Sequence, residues 1–210
     1  MPSRFADAMT RLPLVAILRG LKSGEALAVL AALLSQGFVL IEIPLNSPDP
    51  LASVGAMRKK APPEVLIGAG TVLRVADVKA VAEAGGDFIV MPHADVAMIR
   101  AAKALGLVCL PGVATPTEAF GALAAGADGL KAFPAEMIAP VVVKAWRAVI
   151  AKDVPILPVG GIAPETMAAY VAAGASGFGL GSALYRLGDS PERVAERAAA
   201  FVAAWRAIAR

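Results

Sequence analysis

The 210-residue chain has one cysteine, Cys109, and one histidine, His93. A lone thiol excludes an intrachain disulfide framework and fits a reducing, cytoplasmic setting. One imidazole with no Cys/His spacing around it gives zinc no ligand set, so no metal is expected. No phosphate-binding G-x-x-x-x-G-K-[ST] loop and no dinucleotide fingerprint occurs. Aromatic residues make up only 5% of the chain. The composition is 58% hydrophobic with a mean hydropathy of +0.68. Even so, no uncharged apolar stretch reaches the ~18–20 residues of a membrane span, and alanine supplies much of the score. The start, Met1-Pro2-Ser3-Arg4-Phe5-Ala6-Asp7, lacks the apolar core of a signal peptide. The net charge is +3 with a pI near 9.2, but the cations are scattered and form no stripe for nucleic acid. Neither a nucleic-acid nor a membrane partner is expected.

What is present is a regular alternation of short apolar runs and helical stretches. Ser3 to Arg11 reads as a short amphipathic helix. Apolar runs then recur at Leu14–Arg19, Phe38–Leu45, Val65–Val72, Phe88–Pro92, Leu107–Val113, Gly129–Phe133, Val154–Val159 and Gly177–Leu184. Helical stretches separate them, from Ser23 to Ser35, Pro50 to Lys60, Ala76 to Ala84, Ala94 to Leu105, a stretch capped by Thr115 or Thr117, Val141 to Ile150, Glu165 to Ala173, and Pro191 to the end. Glycine-bearing turns such as Ala84-Gly85-Gly86-Asp87, Gly126-Ala127-Asp128-Gly129 and Ala173-Gly174-Ala175-Ser176 return the chain from helix to strand. Eight strand–helix units with strands buried on both faces predict a single-domain α/β fold over 1–210. A closed (β/α)8 barrel with a short N-terminal helix is expected, at the lower end of that fold's length.

In such a barrel the chemistry sits at the carboxyl ends of the strands. Of eight lysines, only Lys131 lies inside an apolar strand. Burial disfavours an ammonium, so such a lysine either pairs with an acid or loses its proton more easily than the usual ~10.4 implies. It is a candidate Schiff-base nucleophile, or it snorkels or neutralises a barrel carboxylate. Glu42 alone among the 17 acids lies within an apolar strand. It could move protons beside a Schiff base, or simply balance Lys131 or Arg19. Arg19 suits a substrate carboxylate, or an ion pair with Glu42. Thr71, Pro92-His93 and Thr115 fall near other strand ends, with His93 most simply a solvated loop imidazole. Gly160-Gly161 and Gly181-Ser182 follow the last two strands, where backbone N–H groups suit a phosphate. Cys109 reads as a buried, inert thiol.

Several segments taken together resemble the small class I aldolases acting on 2-keto-3-deoxy-6-phospho sugar acids. They are Val15-Ala16-Ile17-Leu18-Arg19-Gly20, Glu42-Ile43-Pro44-Leu45-Asn46-Ser47-Pro48, Gly68-Ala69-Gly70-Thr71-Val72, Lys131-Ala132-Phe133-Pro134 and Gly179-Leu180-Gly181-Ser182. The resemblance covers nearly the whole chain. It implies a Schiff base on Lys131 with Glu42 as proton carrier. It also implies substrate binding by Arg19, Thr71, Pro92, Phe133, Val159, Gly160, Gly161, Gly181 and Ser182. His93 stands where relatives often carry asparagine. The family implies pyruvate as product, a homotrimer, and no metal or cofactor. Val159 and the Glu42–Pro48 segment look like the branch that uses galactonate-derived rather than gluconate-derived acids. A gluconate-type or dual specificity, or a phosphate-binding barrel without catalysis, is the alternative.

Overall fold

The computed structural model describes residues 4–208. Ser3, the expected start of the first helix, and the end of the last one lie outside the described residues. Helix α1 (Arg4–Arg11) precedes the alternation β1 (Leu14–Ile17), α2 (Ala26–Ser35), β2 (Leu40–Pro44), α3 (Pro50–Lys60), β3 (Leu66–Gly70) and α4 (Val75–Glu83). It continues with β4 (Phe88–Val90), α5 (Val96–Ala104), β5 (Val108–Leu110), β6 (Gly112–Val113), α6 (Pro116–Ala124) and β7 (Leu130–Ala132). The last elements are α7 (Pro140–Arg147), β8 (Ile156–Pro158), α8 (Met167–Ala172), β9 (Phe178–Leu180) and α9 (Pro191–Ile208). Among the described residues no helix is long and apolar enough to cross a membrane.

All strand pairs are parallel, in a six-stranded sheet ordered β5-β4-β3-β2-β1-β9 and a three-stranded sheet ordered β6-β7-β8. The expected fifth strand is thus divided, because Pro111 has no N–H to give the ladder between β5 and β6. A bridge between Val159 and Gly179 links the ends of the two sheets. The expected eighth strand is shorter than its apolar run. Leu184 and Tyr185 donate back to the Gly181 carbonyl, which turns residues 181–185 into a tight coil. Nearly every strand residue is buried, as strands covered by helices on one side and a packed interior on the other must be.

The amino ends of alternate strands share one device. Asp87, Asp128 and Ser176 each stand just before a strand and accept the N–H of a residue in the preceding strand or next to it. The pairs are Ile67 to Asp87 at 2.9 Å, Cys109 to Asp128 at 2.9 Å and Ile156 to Ser176 at 3.2 Å. A cation from the helix that precedes the paired strand binds each acceptor: Arg58 at 2.8 Å, Lys103 at 2.5 Å and Arg147 at 2.8 Å. The aliphatic stems of those cations lie over Gly85, Gly126 and Gly174, all left-handed, where a side chain would meet both strain and contact. The A-G-x-[D/S] turns of the sequence are therefore strand-locking turns. They sit at the end of the sheet opposite the polar strand termini. Helix α6 begins with a capping box in which Thr115 and Glu118 satisfy each other's backbone N–H groups. Thr115, not Thr117, is the cap, and this hydroxyl is engaged there rather than in a cleft.

Candidate active site

Register fixes the two buried charges. On β2, Glu42 lies between Ile17 of β1 and Gly68 of β3; on β7, Lys131 lies between Gly112 of β6 and Leu157 of β8. Glu42 is 2% exposed and Lys131 6%. They share a narrow interior cavity of only about 10 Å³ whose other walls include Ile17, Val90, Leu110, Leu157 and Val159. The cavity is lined from both sheets and is almost wholly apolar. Burial dominates each group's titration. It pulls the Lys131 ammonium below its ordinary value, opposed by the Glu42 charge and reinforced by Arg19. It pushes the Glu42 carboxyl up, against the pull of Lys131 and Arg19. An amine that sheds its proton more easily beside a carboxyl that holds one more tightly has the character of a nucleophile and an acid–base partner. The Lys131 Nζ also lies 4.4 Å from the centroid of the Phe133 ring, so it is held over an aromatic face.

Above this cavity opens a cleft of about 310 Å³, large enough for a small phosphorylated acid. It brings together Arg19, Lys131, Phe133, Val159, Gly160, Gly161, Gly181 and Ser182. Eight of the eleven residues singled out from sequence thus meet at one mouth, and Glu42 lies beneath it.

Thr71 and Pro92 do not line this cleft. Thr71 lines a neighbouring one of about 610 Å³ with Leu45, Asn46, Asp49, Leu73 and Arg74. It adopts φ 53°, and Asp49 in the same cleft adopts φ 43°. A β-branched residue there is strained, and such strain gathers at binding sites. This second cleft is larger but holds no buried amine. Arg19 connects the two, since its guanidinium donates to Asn46 at 2.8 Å. Pro92 instead packs against strand β6, where a Cβ on Gly112 would lie 2.5 Å from its carbonyl carbon. His93 is exposed on the loop that follows.

Sequence reasoning missed the residues that make room. A Cβ on Gly70 would sit 2.9 Å from Glu42 Cγ and nearer still to the carboxyl, so the carboxyl rests on bare backbone. A Cβ on Gly179 would meet Val159 Cγ2 at 2.6 Å and Ile17 Cδ1 at 3.1 Å. Both glycines stand in the G-x-G pairs of their strands, which was the available signal. Asn46 and the cleft acid Glu136 were missed as well, because nothing local marks either one.

A buried amine–carboxyl pair at the carboxyl ends of a parallel sheet defines the class of site, and sequence comparison defines the family. The chain belongs to the KDPG and KHG aldolase family, whose model matches residues 5–192. Within that family it is similar to two galactonate-type proteins. One is the probable 2-dehydro-3-deoxy-6-phosphogalactonate aldolase of Rhizobium meliloti (strain 1021), 51% identical over 93% of this chain and 92% of that protein. The other is the 2-dehydro-3-deoxy-6-phosphogalactonate aldolase of Escherichia coli (strain K12), 48% identical over 94% and 96%. The solved native KDPGal structure superimposes with a TM-score of 0.93 at 47% identity, covering 95% of this chain and 97% of that one.

Proposed function

We propose that the protein is a class I aldolase that cleaves 2-dehydro-3-deoxy-6-phospho-D-galactonate reversibly to pyruvate and D-glyceraldehyde 3-phosphate. The observation that carries this reading is the desolvated pair Lys131 and Glu42 in one apolar cavity beneath a cleft with a cationic wall and two glycine turns. Family membership and similarity to two galactonate-type aldolases support the substrate.

In this mechanism the neutral Lys131 amine attacks the C2 ketone. Glu42 delivers a proton to the resulting hydroxyl, which leaves as water, and an iminium remains. Glu42, now a carboxylate, takes the C4 hydroxyl proton; the C3–C4 bond breaks and its electrons enter the iminium. Glyceraldehyde 3-phosphate departs, the enamine is protonated at C3, and water releases pyruvate and restores the amine. The iminium supplies the electron sink, so neither a metal nor a cofactor takes part. Arg19 holds the substrate carboxylate and donates to Asn46, which lines the adjoining cleft together with Thr71. Phe133 packs against the reacting end, and Pro92 shapes the strand beside it. Gly160, Gly161, Gly181 and Ser182 receive the phosphate. Val159 offers shape without a hydroxyl, which removes the hydrogen bond that a threonine would give one C4 epimer.

The reading includes a single closed (β/α)8 barrel over the chain. Three observations support closure. Only Pro111 separates β5 from β6, Val159 bridges to Gly179, and one cavity has walls from both sheets. The family resemblance supports a homotrimer. Met137 and Val141, 77% and 71% exposed, are apolar surface such an assembly would cover. The lone buried thiol of Cys109 suits a cytoplasmic enzyme.

Pyruvate with borohydride, followed by peptide mapping, tests the chemistry: a reduced adduct belongs on Lys131 and disappears in Lys131→Ala. Absence of an adduct, or near-normal turnover in Lys131→Ala, sinks the mechanism. Cleavage of the two C4 epimers measured separately tests the substrate. Val159→Thr is expected to move the kcat/KM ratio about tenfold toward the gluconate epimer. A strong gluconate preference in the unaltered protein overturns the branch assignment.

A further inference from the structure

The cleft above Lys131 contains one acid that no step of this cleavage uses. Glu136 lies in the turn after strand β7 and lines the cleft beside Gly160, Gly161, Gly181 and Ser182. Its carboxyl lies against the glycine pair. A Cβ on Gly160 would meet Glu136 Cδ at 2.9 Å and Oε1 at 3.0 Å, with Oε2 nearer still, and one on Gly161 would meet Oε1 at 3.4 Å. Gly160 and Gly161 have φ of 116° and 60°, so the turn presents backbone with no side chain to shield it from that carboxyl. The side chain is exposed, and among the described residues no ion pair or hydrogen bond holds the carboxyl in place. It is therefore a negative charge resting by shape alone on a turn suited to an anion.

The charged and titratable groups facing it are few. Arg19 and Lys131 share the cleft. From α8, Tyr170 donates its hydroxyl to the Ala135 carbonyl at 3.1 Å, and its phenol is pushed up by burial and by the Glu136 charge. Neither cation forms an ion pair with Glu136. A phosphate seated on the same turns carries up to two negative charges and would lie within a few ångströms of the carboxylate. At that separation repulsion is large enough to alter affinity even in a wet cleft.

We infer that Glu136 is a charge gate on the phosphate cradle. Its carboxylate covers the Gly160-Gly161 turn, swings aside when a phosphorylated substrate enters, and returns as the phosphorylated aldehyde leaves. This rests on the reading of those turns as the phosphate site. The gate weakens binding of phosphorylated ligands and speeds their departure, which suits an enzyme whose phosphate remains on one product after cleavage.

Inorganic phosphate is the probe, as a competitor of cleavage of the 6-phosphorylated acid. In Glu136→Gln the inhibition constant of phosphate is expected to fall about tenfold, with KM for the phosphorylated acid falling in step, because the repulsion is removed while shape is kept. Glu136→Asp keeps the charge and is expected to stay within about threefold of the unaltered enzyme. Gly161→Ala tests the cradle itself and should weaken phosphate inhibition. If phosphate does not compete in the unaltered enzyme, or Gly161→Ala leaves its inhibition unchanged, the cradle reading fails and the gate with it. If Gly161→Ala weakens phosphate but Glu136→Gln leaves it unchanged or weaker, the gate alone is wrong. Equal shifts in Glu136→Gln and Glu136→Asp also overturn it, since packing rather than charge would then be responsible.

Discussion

Gly70→Ala probes the site at its tightest point with a single methyl group. Gly70 pairs with Pro44 in the β2–β3 ladder and lies outside the left-handed glycines, so alanine suits its backbone. The whole effect therefore comes from the new Cβ. It would stand 2.9 Å from Glu42 Cγ, with the carboxyl atoms closer, whereas carbon atoms in contact normally sit at about 3.5–4.0 Å. The Glu42 carboxyl must move by about 1–2 Å, in a narrow cavity whose other walls are apolar apart from Lys131. Overpacking of this kind costs about 1–3 kcal/mol. A misplacement near 1 Å in the proton carrier is worth about a hundredfold in rate. Gly70→Ala should thus fold, with a lower Tm, and lose about a hundredfold in kcat. Lys131 is untouched, so pyruvate–borohydride trapping should persist more strongly than cleavage. Steady-state cleavage, trapping and thermal unfolding measured together make the test. A folded Gly70→Ala enzyme with kcat within threefold of the original refutes the claim that Gly70 sets the working position of Glu42.

Three further outcomes follow from the same geometry. Burial lowers the Lys131 pKa, so the rate of pyruvate trapping should rise with pH through a midpoint below 10.5, the value of a free lysine. The Glu42 charge opposes that lowering, so Glu42→Gln should move the midpoint further down; an upward move refutes the coupling. Burial first, and the Asp128 charge second, push the Cys109 thiol up to about 12. Iodoacetamide at pH 8 should therefore leave Cys109 unlabelled in the native protein and label it in denaturant. Arg147 donates to the carbonyls of Gly174, Ala151 and Val154 and to Ser176 Oγ at 2.7–2.9 Å. Arg147→Ala leaves those acceptors short of partners at a partly buried turn and should cost about 2–4 kcal/mol. For a chain this size that is a drop of about 4–16 °C in Tm, with KM unchanged because the turn lies at the far end of the strands.

Local chemistry in the sequence determined the alternation of strands and helices, the turn that closes each unit, and the few polar side chains placed in apolar strands. Those features are local because a strand or helix is set by the period of its own residues, and because an acid or amine in an apolar run is conspicuous wherever the run folds. Lys131, Glu42 and Arg19 were legible for that reason. Tertiary structure decided what stands within a few ångströms of them. It split the fifth strand at Pro111, shortened the last one, engaged Thr115 in a helix cap and put Thr71 in a second cleft. It set Gly70 under Glu42, Gly179 beside Val159, and Glu136 on the Gly160-Gly161 turn. Glu42 and Lys131 are 89 residues apart in the chain yet face one cavity. Pattern along a chain has no term for a distance across a sheet, so the tilt and register of the strands, not the residues alone, made one site of them.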